Sequence, residues 1–514
     1  MGVAWVVIHS TSVKTRFSVS VGLNALRAII SFATGLIIAR ALEPTGYGDL
    51  MFLLGSFVAL RSLLDLGSSN AFFTFLSQRT RGKRFYLTYF FWLAFQFVLT
   101  VLLLWLIIPS ALFEKIWVGH DRDIALLAFV SAFMQQQVWQ AVGQIGESMR
   151  KTIKVQLLNF AVSLVYLAVI LFVSLNSQLS IKKILFVLIG QYVVATVFAY
   201  RILNIAGAVS IVEEKPLIDI LCDYWKYCKP LAALALFNFL YIFGDKWMLQ
   251  RFGGATQQGY FQISNQFATV SLLATTSILN VFWKEIANAW EKQDRARVAM
   301  LYRKVSRGLV MFGAIISGFL VPWSEHIVNV FLGAAYTNAW PVLAIMLLYP
   351  IHQSMGQISG TMFLASGQTR SYMFLSITMM LLSLYVTYLV LAPASDKWVS
   401  GFEMGALGMA YKMVLLGLVS VNIQSWILAR IGGWKFDWAF QVVGIPLVIT
   451  FGFIAKMLAG MLWNAKNTSI DGLMIQATIT GMIYFITVVV LIYELPWLIG
   501  AEREEVRKLF RLKR

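Results

Sequence analysis

The sequence predicts an all-α, polytopic membrane protein of about fourteen transmembrane helices, and three observations predict it. First, 59% of the 514 residues are hydrophobic and only 13% are charged, and the mean hydropathy of +0.73 lies above the range of water-soluble globular chains. Second, apolar runs of about 20 residues recur along the whole length, each able to cross a hydrocarbon core of about 30 Å as a helix. Third, one helical hairpin occurs twice. From Leu23 to Leu66, the connection Arg40-Ala-Leu-Glu-Pro-Thr-Gly-Tyr-Gly48 joins two apolar spans. From Leu234 to about Ser277, Arg251-Phe-Gly-Gly-Ala-Thr-Gln-Gln-Gly259 does the same. Arg40 and Arg251, like Gly48 and Gly259, are 211 residues apart, as expected of a transporter built from two related halves.

In chain order, the first six spans cover roughly 17–39, 48–66, 85–108, 123–145, 154–175 and 183–206. The next six cover roughly 230–250, 259–283, 307–332, 339–366, 371–392 and 402–429, and two more lie near 438–461 and 473–499. The expected organisation is an N-terminal six-helix lobe over 1–210, a cytoplasmic inter-lobe linker over 211–229 and a C-terminal six-helix lobe over 230–430. Two additional helices over 431–500 and a basic cytoplasmic tail over 501–514 complete it.

The net charge of +18 would suggest nucleic acid in a soluble chain, but here most of it sits between spans, where it sets topology. Lys and Arg gather in alternate connections: Arg79 to Arg84, Arg150 to Lys154, Lys284 to Arg307, and the tail from Arg503 to Arg514. The intervening connections hold only scattered cations, such as Arg40, Lys115 with Arg122, Arg251 and Lys397. Both termini are therefore expected in the cytoplasm, as an even number of spans also requires. The first full span is expected to act as an uncleaved insertion signal. Cys222 and Cys228 have no matching Cys or His pair nearby, which argues against a metal site or a structural disulfide. Two stripes, Val298-Leu301-Tyr302-Val305 and Val506-Leu509-Phe510, repeat at helical spacing among basic residues. They fit surface helices on anionic headgroups, or packing against the bundle.

Polar residues inside spans carry the functional information, because a charge at mid-bilayer costs about 2.5 to 3.5 kcal/mol and so faces water or a partner. In span one, Asn24, Arg27, Ser31 and Thr34 share a helix face. At the repeat offset Arg27 corresponds to Asn238, and Asn238, Tyr241 and Asp245 share a face of span seven. Arg61 and Asp65, four apart, suit an intrahelical ion pair. Asp245 and Lys246 point about 100° apart, so at least one should line an interior. Lys412 lies deep in span twelve, too far from the boundary to snorkel. Amide stripes follow: Gln137, Gln140 and Gln144; Gln262, Asn265, Gln266 and Thr269; Gln353 and Gln357. They suit helix–helix hydrogen bonds or a hydrated lumen. His352 is the one histidine deep in a span, and either carries a proton or packs. No phosphate-binding loop, zinc spacing or nucleophile triad is present, so the sequence supports neither enzymatic chemistry nor a cofactor.

Two motifs, Arg40-Ala-Leu-Glu-Pro-Thr-Gly-Tyr-Gly-Asp49 and Asp65-Leu-Gly-Ser-Ser-Asn70, resemble the first hairpin of Wzx-type polysaccharide flippases of the multidrug/oligosaccharidyl-lipid/polysaccharide (MOP) exporter superfamily. Gly244-Asp-Lys246 with Gly259-Tyr260 resembles that family's seventh and eighth helices, and Leu332-Gly333 through Pro341-Val-Leu-Ala344 the approach to its tenth. The resemblance covers most of the chain. It implies two six-helix lobes flanking a central cavity, alternating access, and a multi-pass protein of the bacterial cytoplasmic (inner) membrane. It also implies a cargo of undecaprenyl-diphosphate-linked oligosaccharide, moved from the cytoplasmic to the periplasmic leaflet for O-antigen or exopolysaccharide assembly. Membrane lipids, a polysaccharide polymerase or assembly complex, and a coupling proton or sodium ion would be its partners, and nucleic acid would not. A diphosphate in low dielectric needs fixed cations, so Arg27, Arg61, Lys246 and Lys412 are the expected diphosphate ligands. Asp65, Asp245, Asn238, Gln140, Gln266, His352 and Gln357 are the expected cavity or coupling residues. The alternatives are a multidrug or cation antiporter of the same fold, a flippase of the lipid-linked peptidoglycan precursor, and a non-transporting scaffold.

Overall fold

The computed structural model describes residues 13–205, 216–270, 272–395, 399–463 and 470–505. Among the described residues every regular element is helical. Helices satisfy their own backbone groups, as a segment surrounded by lipid must. Among the described residues, ten helices are long and apolar enough to cross a membrane, or eleven when a pair bent by 41° near Leu347 is counted as one span. Two of the ten, Val19–Asp65 and Leu217–Val270, are each long enough for two crossings, and all fourteen apolar stretches of the sequence fall on helical elements.

The first helix, α1 (Val13–Asp65), has 53 residues and would be about 80 Å long if straight, more than twice the hydrocarbon thickness. It breaks at Glu43, at φ 56° and ψ 175°. The second hairpin breaks at Gly254, at φ 80° and ψ 173°. Glu43 and Gly254 are separated by the repeat offset, so the duplication extends to the backbone conformation of the turn. Only glycine adopts this region freely, and Glu43 holds it at a cost of about 1–3 kcal/mol. Pro44 then starts the next arm, where its missing N–H and fixed φ suit a first helical position.

Two compact units divide the chain at Gly259–Tyr260. The first contains α1, α2 (Ser68–Gln78), α3 (Lys83–Leu102), α4 (Ser110–Ile116), α5 (Arg122–Phe133), α6 (Trp139–Ser148), α7 (Thr152–Asn176), α8 (Ile181–Ile202) and α9 (Leu217–Met248), and ends with the first turns of α10 (Gly254–Val270). Here α1 packs against α5, α7 and α9. A π-helical turn, Met134–Val138, links α5 to α6. The expected inter-lobe linker is helical from Leu217 onward, as the start of α9.

The second unit contains the rest of α10, α11 (Leu273–Glu291), α12 (Arg295–Leu320), α13 (Ser324–Phe331), α14 (Trp340–Met346), α15 (Tyr349–Ala365), α16 (Thr369–Leu391), α17 (Gly405–Gly432), α18 (Trp438–Leu462) and α19 (Ile470–Glu494). The core forms where α12, α15, α17 and α18 meet, around Met311, Ile351, Val421 and Val448. The last two helices dock through small residues. A Cβ on Gly452 of α18 would lie 1.8 Å from the Gly318 carbonyl oxygen of α12, the backbone approach that small residues permit in membranes. On α19, the Tyr484 hydroxyl donates to the Ile315 carbonyl at 3.0 Å.

The stripe from Val298 to Val305 is not a separate surface helix. It is the first part of α12, and Val298 and Tyr302 are buried with Phe282, Ile358 and Leu428. Burial of its apolar face within the bundle takes precedence over the headgroup site that its basic neighbours suggest. The stripe at Val506 to Phe510 lies outside the described residues.

Candidate functional site

Within the first unit, the two hairpin turns meet face to face. A Cβ on Gly48 would lie 1.8 Å from the Ala255 carbonyl oxygen, and one on Gly259 would lie 2.1 Å from the Pro44 carbonyl oxygen. Pro44 corresponds to Ala255 and Gly48 to Gly259 at the repeat offset, so each turn presents the same two positions to the other. That is the self-complementary pattern of a two-fold interface. Thr45 and Thr256, themselves 211 residues apart, lie across its axis with their hydroxyl oxygens 2.9 Å apart. The matched glycines are thus places where two backbones touch.

A polar cluster flanks this contact. Gln250 donates its amide to Asp49 at 2.8 Å, and His120 reaches Asp49 through Nε2 at 3.2 Å. His120 Nδ1 lies 2.6 Å from the Trp117 carbonyl oxygen. Both ring nitrogens therefore face acceptors, which suits the doubly protonated imidazolium. Burial on its own would lower the His120 pKa, but the hydrogen bonds to Asp49 and Trp117 and the charges of Asp49 and Asp121 outweigh it. The pKa lies above the ordinary 6.5. A raised folded-state pKa stabilises the fold fully below about 6.5, and this contribution disappears as pH rises through the raised value. Melting temperature measured from about pH 5 to 9 should fall across that window for the native chain and less for His120→Gln. A variant curve that falls as steeply would exclude the histidine as the cause.

Deeper in the membrane-spanning part of the unit stand three of the expected cations. Arg27, on α1, is half-buried beside Tyr192 and has no hydrogen bond or ion pair among the described residues. Lys246, on α9, lays its chain across Gly55, where a Cβ would stand 2.6 Å from its Cε. It too lacks a hydrogen bond or ion pair among the described residues. Arg61 donates to the Gln136 side-chain oxygen at 2.9 Å and to that of Gln140. Asn238 donates to Ser62 at 3.0 Å, which fastens α9 to the second arm of α1.

Two expectations fail here for identifiable reasons. Arg61 and Asp65 form no hydrogen-bonded pair. After Asp65 the chain turns through Leu66 and Gly67 at φ 47° and 84°, which brings the start of α2 back onto the carboxylate. Asp65 accepts from the Ser69 amide at 3.0 Å and from the Ser68 and Ser69 hydroxyls at 2.8 Å each, so it caps a helix. Gln137 and Gln140 share no face either, because the π turn inserts an extra residue into the helical register. It fans three consecutive amides onto three helices: Gln135 donates to Tyr192 on α8, Gln136 accepts from Arg61 on α1, and Gln137 donates to Gln96 on α3. Sequence reasoning missed Gln136, although three adjacent glutamines in an apolar span were a visible signal.

Two carboxylates of this unit's spans, Asp65 and Asp245, are nearly inaccessible, at 7% and 9% exposed, while Asp49, at the start of span two, is half-buried and engaged by Gln250 and His120. The three cations are only half-buried. Compared with Asp65 and Asp245, these cations are the more accessible charges. In the second unit, Lys412 is enclosed, at 3% exposure, while Gln266 and Gln357 are half-buried. Nδ1 of His352 has no hydrogen-bond partner, so the described residues provide no relay at that atom.

No protein-family model matches the chain, and no curated protein does. Solved structures do. The lipid II flippase MurJ, in an inward closed conformation, is similar at a TM-score of 0.69 and 13% identity, over 93% of this chain and 99% of that one. An outward-facing multidrug resistance MATE family transporter of the MOP superfamily is similar at 0.53 and 14%, over 81% and 94%. A MOP superfamily transporter from Pyrococcus furiosus gives 0.54 and 14% over the same shares. The chain thus has the fold of these flippases and transporters.

Proposed function

We propose that the protein is a flippase for a lipid carrying a diphosphate-linked saccharide, moved from the cytoplasmic to the periplasmic leaflet of the bacterial inner membrane. Accessible positive charge in the spans of the first unit carries the reading: Arg27, Arg61 and Lys246 are half-buried while Asp65 and Asp245 are enclosed. A diphosphate leaving water needs fixed cations, and a guanidinium can bind it through two parallel hydrogen bonds. Neutral amides hold Arg61, so its orientation is fixed while its charge stays uncompensated by those bonds. A transporter of cationic drugs would need the opposite arrangement, with open carboxylates.

An undecaprenyl-diphosphate oligosaccharide for polysaccharide assembly is the cargo we favour, on the hairpin motifs. A lipid-linked peptidoglycan precursor carries the same diphosphate chemistry. It is the second reading, favoured by the similarity to a lipid II flippase over nearly its full length. In both, the hairpin contact is the periplasmic end, with both chain termini cytoplasmic, and the six-helix lobes alternate in access. Lys412, on the other lobe, and the coupling roles of Asp245, Asn238, Gln140, Gln266, His352 and Gln357 belong to the same proposal.

The test is reconstitution into vesicles with a fluorescent lipid-diphosphate oligosaccharide and, in parallel, the peptidoglycan precursor. Native protein should move one of them between leaflets, and Arg27→Ala with Lys246→Ala should slow that at least tenfold. Retained transport in the double variant, or drug export without lipid movement, would sink the reading.

A further inference from the structure

The second unit holds a shallow cleft, open to solvent and with an enclosed part of only about 30 Å³, between α12, α17 and the connection from α17 to α18. Arg303 and Lys435 line it as exposed cations. Arg307 also lines it and is held rigidly: Nε donates to Asp437 at 2.6 Å, Nη1 donates to the Trp497 carbonyl at 2.5 Å, and the guanidinium lies 5.3 Å from the Phe440 ring centroid. Three cations thus meet one carboxylate, which Arg307 already neutralises. The buried lining sets Ser306, Ser425 and Gln441, at 6%, 2% and 8% exposure, among the apolar Met355 and Phe440. Gln441 donates its amide to Asn422 at 2.8 Å, and the Asn422 amide is committed to the Leu418 carbonyl at 2.8 Å. Flipping Gln441 would therefore set two oxygens against each other. Its own carbonyl oxygen, buried in the wall of the cleft, is left with no hydrogen-bond partner, an acceptor that a donor entering beside it would satisfy.

The surroundings fix the depth. Trp426, Trp438 and Trp497, on or beside the same helices, are 43%, 61% and 36% exposed, and exposed tryptophans collect where headgroups meet the hydrocarbon. Val442 and Val443, the next residues of α18, are 62% and 52% exposed and provide the apolar surface an acyl chain would follow. Basic clefts between helices on the cytoplasmic side suit anionic lipid headgroups.

We infer that this cleft binds an anionic phospholipid whose headgroup also carries a hydroxyl, as phosphatidylglycerol does. The phosphate lies against Arg303, Arg307 and Lys435, and the headgroup hydroxyl donates to the carbonyl oxygen of Gln441. The inference stands apart from the transport reading, since none of these residues belongs to the proposed cargo site.

Native mass spectrometry of the full chain in detergent, titrated with phosphatidylglycerol, phosphatidic acid and phosphatidylcholine, tests it. Phosphatidylglycerol should bind in preference to both others. Arg303→Gln with Lys435→Gln should weaken that binding about 30-fold, at about fivefold per surface cation, with no change in melting temperature because both side chains are exposed. Gln441→Leu should bring phosphatidylglycerol down to the level of phosphatidic acid. Unchanged lipid affinity in the double variant would overturn the site, and a persisting preference in Gln441→Leu would overturn the hydroxyl contact. Displacement of the lipid by equimolar glycerol 3-phosphate or inorganic phosphate would show a site for soluble anions instead.

Discussion

Oxidation of a Thr45→Cys/Thr256→Cys variant will join the two hairpin turns and abolish lipid transport, and a reductant will restore it. The native hydroxyl oxygens are 2.9 Å apart, so sulfurs placed at these positions would need only small side-chain rotations to reach bonding distance. Closing a loop of 211 residues removes entropy worth about 5 kcal/mol from the unfolded chain, so the cross-linked protein should also melt later. The background must carry Ser at Cys222 and Cys228, the two free cysteines. Under the proposed mechanism this end must open to release cargo, so a bond across its axis holds it shut. Vesicle transport before and after reduction gives the answer. Complete cross-linking with undiminished transport would mean that this contact stays closed throughout the cycle.

The second large effect is expected at Gly48. A Cβ there would lie 1.8 Å from the Ala255 carbonyl oxygen, which is backbone and cannot turn aside as a side chain could. Gly48→Val should therefore separate the turns and destabilise the protein by about 3 kcal/mol or more, at or beyond the usual cost of overpacking. Gly22→Ala is the control, because a Cβ on Gly22 meets nothing within 4 Å. Reaction of Thr45→Cys with a membrane-impermeant thiol reagent should be faster in the Gly48→Val background. If melting temperature and labelling both match the Gly22→Ala control, the close backbone contact has no energetic weight.

Much of the architecture was legible because it depends on additive, local properties. Hydropathy summed over about 20 residues places a helix in a membrane whatever its neighbours, so the fourteen apolar stretches could be read without a fold. The repeat was visible at Arg40 and Gly48, and the structure extends it to the break at Glu43 and Gly254 and to the reciprocal glycine contacts. The cation types and positions were legible too, because a charge in an apolar span stands out by its cost alone.

Side-chain direction was not legible. A π turn shifts the register by one residue without changing composition, so the sequence could not separate Gln137, which turns to Gln96, from Gln140, which turns to Arg61. Asp65 followed its turn rather than its helical spacing, since two residues at positive φ brought the amides and hydroxyls of α2 closer than the Arg61 guanidinium. His120 and Asp49 lie 71 positions apart in the chain, and nothing local to either marks a pair that only the packing of α1 against the approach to α5 creates. The sequence by itself determined that this chain is a duplicated, helical membrane protein with cations in its spans. The tertiary structure decided which of those cations are accessible and which carboxylates are enclosed, because exposure depends on every helix packed around a residue and is not a property of the residue itself.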